Sequence, residues 1–309
     1  MAVSTAPLPR GVLAVHALPA GHHDGPWETM VVPPGTRERL LGTALLTLLH
    51  GRRMAGLPAP PSGLILLAGP SGTGKTTLAH GLAQAAALAV ADTGATTFIE
   101  IDPHALPSEM LGESQRNTVR LLRDVVPGLA RGRPHTVVLI DEVDSFAVRR
   151  ELASFDTNPV DVQRATDAVL TGMDHLAATL PGTVVVAATN FLRAVDEAFI
   201  SRADLVIELG LPDARARAQI VAAGLADLAR AWPALKELAE DRDLHAGIAA
   251  STGGWDGRRL RKLPLRVLGA DPALARDPAR LTAAALRAAA GRDAGRGAER
   301  GTPGEIASY

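Results

Sequence analysis

Gly69, Gly74, Lys75 and Thr76 stand in the stretch LILLAGPSGTGKTTLAHGLA at the spacing GxxxxGK[ST], directly after a strand-like apolar run and directly before a helical one. That is the context a phosphate-binding loop requires. In such a loop the backbone N–H groups of Gly72 to Thr76 wrap the β-phosphate and the helix N-terminus adds its positive end. Lys75 then reaches the γ-phosphate and Thr76 ligates Mg²⁺. The nucleotide-binding set read from the motif is Gly69, Pro70, Ser71, Gly72, Thr73, Gly74, Lys75, Thr76 and Thr77. A glycine-rich turn without a ligand is the bland alternative, and the complete motif in its proper context argues against it.

A second stretch, TVVLIDEVDSF, supplies acids. Four apolar residues carry Asp141 to the C-terminal edge of a sheet, where ligand sites of α/β proteins lie and where a carboxylate can hold the Mg²⁺ water shell. Glu142 is placed to polarise an attacking water, so the pair points to hydrolysis of ATP rather than its storage; a merely solvated turn is the alternative. Asp144 reads equally as an acid supporting the site or a surface charge. A third run, TVVVAATN, delivers Thr189 and Asn190 to the same edge. Asn190 is suited to orienting the lytic water or sensing the γ-phosphate, against a role in capping the next segment. A metabolite kinase would need an acceptor pocket, and nothing in the sequence marks one.

The positioning elements follow from pattern. The apolar runs Leu64–Leu67, Thr97–Ile101, Val137–Ile140, Val184–Ala188 and Leu205–Ile207 lack alternation and are separated by helical stretches. This predicts a five-stranded parallel sheet buried on both faces, hence an α/β class. After Pro212 the pattern is helical only. The expected organisation is an N-terminal tail or arm over 1–30, a large α/β nucleotide-binding domain over 31–210, a small all-helical lid domain over 211–291, and a flexible Gly-rich tail over 292–309.

Bulk properties exclude other classes. Lys+Arg 32 against Asp+Glu 33 gives a net charge of -1, so no global basic field argues for nucleic acid or an anionic membrane. No stretch approaches a spanning helix of about 18 apolar residues, and the chain reads as cytoplasmic. With Cys 0, thiol catalysis is out. The nine histidines are scattered without metal-ligand spacing. Trp27 and Trp255 read as packing anchors.

Phosphate-binding loop, Asp-Glu box, polar residue at a strand end, a later arginine and a helical lid appear in the order found in the AAA+ ATPases, and the chain resembles that superfamily. Within it the sequence is similar to the pachytene-checkpoint remodellers, which act on HORMA-domain proteins, including their bacterial forms. VDEAFISRADLVIELGLPD, GWDGRRLRKLP at 254–264 and SEMLGESQRNTVRLL carry the likeness, which runs from about Trp27 to about Arg287. The Arg-Ala-Asp and Arg-Lys-Leu-Pro elements are the specific ones.

This resemblance implies a homo-hexamer using ATP and Mg²⁺ to open or disassemble a HORMA-domain client in a central pore, and in bacteria a link to anti-phage signalling. It implies that Arg202 reaches the γ-phosphate on a neighbouring subunit; an intrachain pair with Asp196 or Asp204 is the alternative. Arg258 matches the lid arginine that reads the γ-phosphate of its own chain, within the basic cluster Arg258, Arg259, Arg261 and Lys262. That cluster reads otherwise as a solvated helix face, and the scarcity of aromatics argues against nucleic acid. Met110 and Leu111 stand where many pore loops carry an aromatic residue, either gripping substrate or packing in the core. Val148 to Asp161 is a second pore loop or a plain surface loop. The competing function is a nucleotide-switched binding or loader protein that threads nothing.

Overall fold

The structure is a computed structural model describing residues 8–21, 27–105, 113–145 and 159–298. Two compact units form: Met1–Glu28, Pro33–Pro70 and Lys75–Leu209 in one, Thr29–Val32, Ser71–Gly74 and Gly210–Tyr309 in the other.

The first unit is built on a six-stranded sheet ordered β1-β3-β4-β5-β2-β6. Its strands are β1 (Val12–Leu18), β2 (Leu64–Ala68), β3 (Thr96–Ile101), β4 (His135–Ile140), β5 (Thr183–Thr189) and β6 (Leu205–Glu208). The five apolar runs seen in the sequence are β2 to β6, all mutually parallel. β2, β4 and β5 are buried at every position, which is why their sequences show no alternation.

The sixth strand departs from expectation. Val12–Leu18, read as part of an arm, lies antiparallel against β3, with Val15 opposite Ile99 and Leu18 opposite Thr96. As an edge strand it buries only its ends, Val12 and Leu18, while Leu13 is exposed. Without alternation it gave no local signal; its partner strand supplies the order.

Register places the functional segments. Ile101 pairs with Ile140, Ile140 with Ala187, and Ala68 with Thr189. The residues that follow β2, β3, β4 and β5 therefore emerge along one C-terminal edge.

Helices cover the sheet: α1 (Thr36–Met54), α2 (Lys75–Ala89), α3 (Glu113–Arg120), α4 (Val126–Ala130), α5 (Pro159–Thr179) and α6 (Glu197–Ile200), with a π-turn over Leu121–Val125 between α3 and α4. α1 buries Leu40, Ala44 and Leu48 at intervals of one helical turn. A Cβ on Gly51 would come within 2.6 Å of the Gly182 nitrogen, so glycine here lets α1 approach the entry to β5. Trp27 packs against Gly81 of α2.

The second unit contains α7 (Ala214–Ala231), α8 (Lys236–Glu240), α9 (Arg242–Ser251), α10 (Gly257–Ala270), α11 (Pro272–Arg276) and α12 (Ala283–Ala298). α12 runs on into the segment read as tail. Asp213, Asp241, Asp256 and Asp271 cap α7, α9, α10 and α11, each carboxylate accepting from a backbone N–H of the first turn. Val221, Leu225, Leu244, Ile248, Trp255, Leu260 and Leu286 form the core of this unit, so Trp255 is indeed a packing residue. Among the described residues no helix is long and apolar enough to cross a membrane.

Candidate active site

Gly69 ends β2 with φ 145, and a Cβ there would sit 2.0 Å from the Leu209 carbonyl oxygen, so only glycine fits. Its N–H bonds to the Thr189 carbonyl at 3.2 Å, fixing the entrance of the loop beside β5. Six residues on, α2 begins with Lys75, which is buried. Its ammonium donates to the carbonyls of Gly69 at 2.7 Å and Pro70 at 3.0 Å, and to the Asn190 side-chain oxygen at 2.8 Å. The strand-end residues read separately from sequence thus meet at one cation.

Beside them the Thr76 hydroxyl donates to the Asp141 carboxylate at 2.6 Å. A hydroxyl and a carboxylate held together at the start of a helix are a hard-oxygen donor set, the kind that suits Mg²⁺ and the water it keeps. Asp144 accepts from the buried Thr189 hydroxyl at 2.8 Å, and the same hydroxyl accepts from the Phe191 N–H at 3.0 Å. Of the two roles open to Asp144 in the sequence, the geometry gives the supporting one: it ties β4 to the end of β5.

Glu142 has φ 51, the one non-glycine residue with positive φ among the described residues. A side chain in this left-handed region costs about 1–2 kcal/mol, and such strain concentrates at functional sites. The twist is fixed partly by the Glu142 N–H donating to Asp141 Oδ1 at 3.0 Å. The Glu142 carboxylate lies 2.6 Å from Nε2 of His104.

His104 is the residue that sequence reasoning passed over among scattered histidines. The signal was available once β3 and β4 are paired: with Ile101 opposite Ile140, the residues following Ile101 must lie beside Asp141 and Glu142.

Within the chain, Arg202 forms its ion pair with neither of the two acids suggested by the sequence, but with Asp174. Its Nε and Nη2 donate to the two carboxylate oxygens of Asp174 at 2.8 and 3.0 Å, and Nη1 donates to the Ala198 carbonyl at 2.8 Å. The two acids nearer in sequence make backbone hydrogen bonds, and Asp196 also adds its charge to the field at Arg202. Asp196 caps α6 by accepting from the Ala198 N–H at 2.8 Å, and Asp204 accepts from the N–H groups of Ser62 and Gly63 at 3.0 and 2.7 Å. The nearby Asp174 carboxylate, through hydrogen bonding and charge, raises the arginine pKa above its ordinary value against the opposing effect of burial. Sequence spacing could not reveal this pair, because α5 and α6 are joined through β5.

In the helical unit, Gly72 and Gly74 both have positive φ. A Cβ on Gly72 would come within 2.3 Å of Asp256 Oδ1, and the Gly72 carbonyl accepts from the Arg258 N–H at 3.1 Å. The basic cluster separates by partner. The Arg259 guanidinium lies 3.8 Å over the Trp255 ring, and Arg261 bonds to Asp227 at 2.9 Å. Arg258 is exposed and makes no ion pair with a described residue. Met110, Leu111 and most of the Val148 to Asp161 loop lie outside the described residues. Among the described residues no group of histidines and acids could hold a metal on its own.

A parallel sheet whose strand ends gather a phosphate-loop lysine, an Asp-Glu pair and a polar sensor defines an ATPase of the AAA class. The family described as "ATPase family associated with various cellular activities (AAA)" matches residues 65–211. The chain is 38% identical to CD-NTase-associated protein 6 of Pseudomonas aeruginosa over 93% of each chain. It is 34% identical to a pachytene checkpoint protein 2 homolog of rice, Oryza sativa subsp. indica, over 69% of this chain but only 46% of that longer protein. Its fold matches the structure titled as an E. coli MS115-1 HORMA:CdnC:Trip13 complex, with TM-score 0.71 and 19% identity over 91% of this chain and 95% of that one. The chain belongs to the AAA ATPase family, in the branch that holds CD-NTase-associated protein 6 and pachytene checkpoint protein 2.

Proposed function

We propose that the chain assembles as a homo-hexamer and uses ATP hydrolysis to open or disassemble a HORMA-domain protein complex, engaging it in a central pore and serving bacterial anti-phage signalling. The observation that carries this reading is the 38% identity shared with CD-NTase-associated protein 6 across nearly the whole of both chains. The HORMA:CdnC:Trip13 complex with the same fold supports the choice of client.

Thr76 and Asp141 would hold Mg²⁺, which when bound neutralises charge on the transferring phosphoryl group. Lys75 meets the β- and γ-phosphate oxygens, exchanging the neutral oxygens it now contacts for charged ones. Glu142 takes a proton from the lytic water, and Asn190 orients that water. His104 holds the Glu142 carboxylate on one oxygen and leaves the other for the proton. Arg202 stabilises the charge that develops during transfer on the ATP of an adjacent subunit, a contribution of about 10³ to 10⁵ in rate. Arg258 reads the γ-phosphate within its own chain, a role that its exposed side chain supports. Met110 and Leu111 contact the client.

The test is a closed complex of a HORMA-domain protein with a labelled peptide, mixed with the enzyme and ATP. Peptide release should require ATP, and Glu142→Gln should trap the client and stop release. Release that proceeds unchanged with Glu142→Gln would instead make the protein a nucleotide-switched binder.

A further inference from the structure

We infer that Asp174 is a positioning residue for Arg202: it braces one edge of the guanidinium so that the remaining N–H groups are presented for phosphate. The inference rests on the reading of Arg202 as the group donated to a neighbouring ATP.

The contact is built for orientation more than for stability. Both side chains are substantially exposed, at 32% for Arg202 and 57% for Asp174, and ion pairs this wet contribute little to folding. Yet the geometry is fully specified. Both carboxylate oxygens are used in a fork matched to Nε and Nη2, at 2.8 and 3.0 Å, while the third nitrogen, Nη1, bonds to Ala198. Of the five N–H donors of a guanidinium, these bonds consume three. The two that remain belong to Nη1 and Nη2, the two nitrogens that together can face a phosphate in bidentate fashion.

The mounting is rigid at its base as well. The Arg202 carbonyl accepts from the Ser62 hydroxyl at 2.5 Å. Its N–H bonds to Phe199, which is fully buried in the core of the first unit. The long side chain would otherwise sample many rotamers, and a group that acts on a neighbour's substrate gains most from losing that freedom before the encounter. Asp174 lies on α5 and Arg202 just past α6, so the brace also makes the arginine's aim depend on where α5 sits.

The experiment compares Asp174→Ala, Asp174→Asn, Arg202→Ala and the double variant, each at a protein concentration where sedimentation shows full assembly and with melting curves to verify folding. Arg202→Ala should lower kcat by about 10³-fold or more. Asp174→Ala should lower kcat by about 10- to 100-fold with KM for ATP little changed, as expected for a misaimed group. Asp174→Asn, which keeps one acceptor oxygen, should fall between. The double variant should be no slower than Arg202→Ala alone, since the brace then has nothing to hold. A normal or raised kcat for Asp174→Ala, or a double variant slower than Arg202→Ala by the full single-variant factor, overturns the inference while sparing the role of Arg202. An unimpaired Arg202→Ala overturns both, and that arm alone identifies the cause.

Discussion

The Lys75 ammonium and the Asn190 side-chain oxygen lie 2.8 Å apart, joining the start of α2 to the residue that follows β5. A hydrogen bond from a buried cation to an amide oxygen stabilises the lysine without neutralising it. The charge therefore remains available to a phosphate.

Asn190→Ala should consequently reduce kcat by about 10²-fold while changing KM much less, as for loss of one preorganised polar group. Asn190→Asp should behave differently: the carboxylate would pair with Lys75 and compete with phosphate, raising KM. Steady-state ATPase kinetics over a range of ATP concentrations separate the two. Equal kinetic effects of both variants would remove the direct link between Asn190 and Lys75.

The strained backbone of Glu142 makes a stability prediction of opposite sign to its effect on activity. Glu142→Gly relieves the left-handed conformation and should raise stability by about 1 kcal/mol, seen in urea melts, while hydrolysis is lost. Glu142→Gln keeps the strain and should leave stability nearly unchanged. Destabilisation by the glycine substitution would show that the conformation is not strained.

Much of this site was legible before the fold was known, and the reason is local. The GxxxxGK[ST] spacing, the Asp141-Glu142 pair and Asn190 each sit at the end of an unbroken apolar run, and such runs in alternation with helices imply one shared sheet edge. Asp174 and His104 were not legible, because each meets its partner through strand order and helix packing. β1 was missed for a related cause: an edge strand with a polar and apolar mixture takes its conformation from β3, not from its own residues.

His135 gives a pH dependence. It begins β4, is buried, and its Nε2 lies 2.7 Å from the Thr93 hydroxyl. Burial holds its pKa below 6.5, with Arg52 acting in the same direction. Because the unfolded ring takes up its proton near 6.5 and the folded ring only at lower pH, the unfolded state binds more protons in between. Stability should therefore fall as pH drops from 6.5 towards the folded value and then level off. Urea melts across that window should show a smaller loss for His135→Asn than for the unaltered chain; identical slopes would exclude the histidine as the cause.

Trp255 is 4% exposed and carries the Arg259 guanidinium on one face. Trp255→Ala should destabilise the helical unit by about 3–5 kcal/mol through the cavity it leaves. Arg259→Ala should cost about 0.5–1 kcal/mol, the worth of a partly exposed cation–π contact. Calorimetry on the intact chain would measure both. A Trp255→Ala loss no larger than that of Arg259→Ala would contradict its place in the core.

The central claim is that one subunit completes the active site of another through Arg202, and dilution tests it most directly. ATP turnover per chain is measured while sedimentation follows the same samples from ring to separated chains. The account predicts that turnover falls by about 10³-fold or more as rings disappear, and that separated chains work no faster than assembled Arg202→Ala. Separated chains that turn over ATP at the full rate of the ring would contradict it.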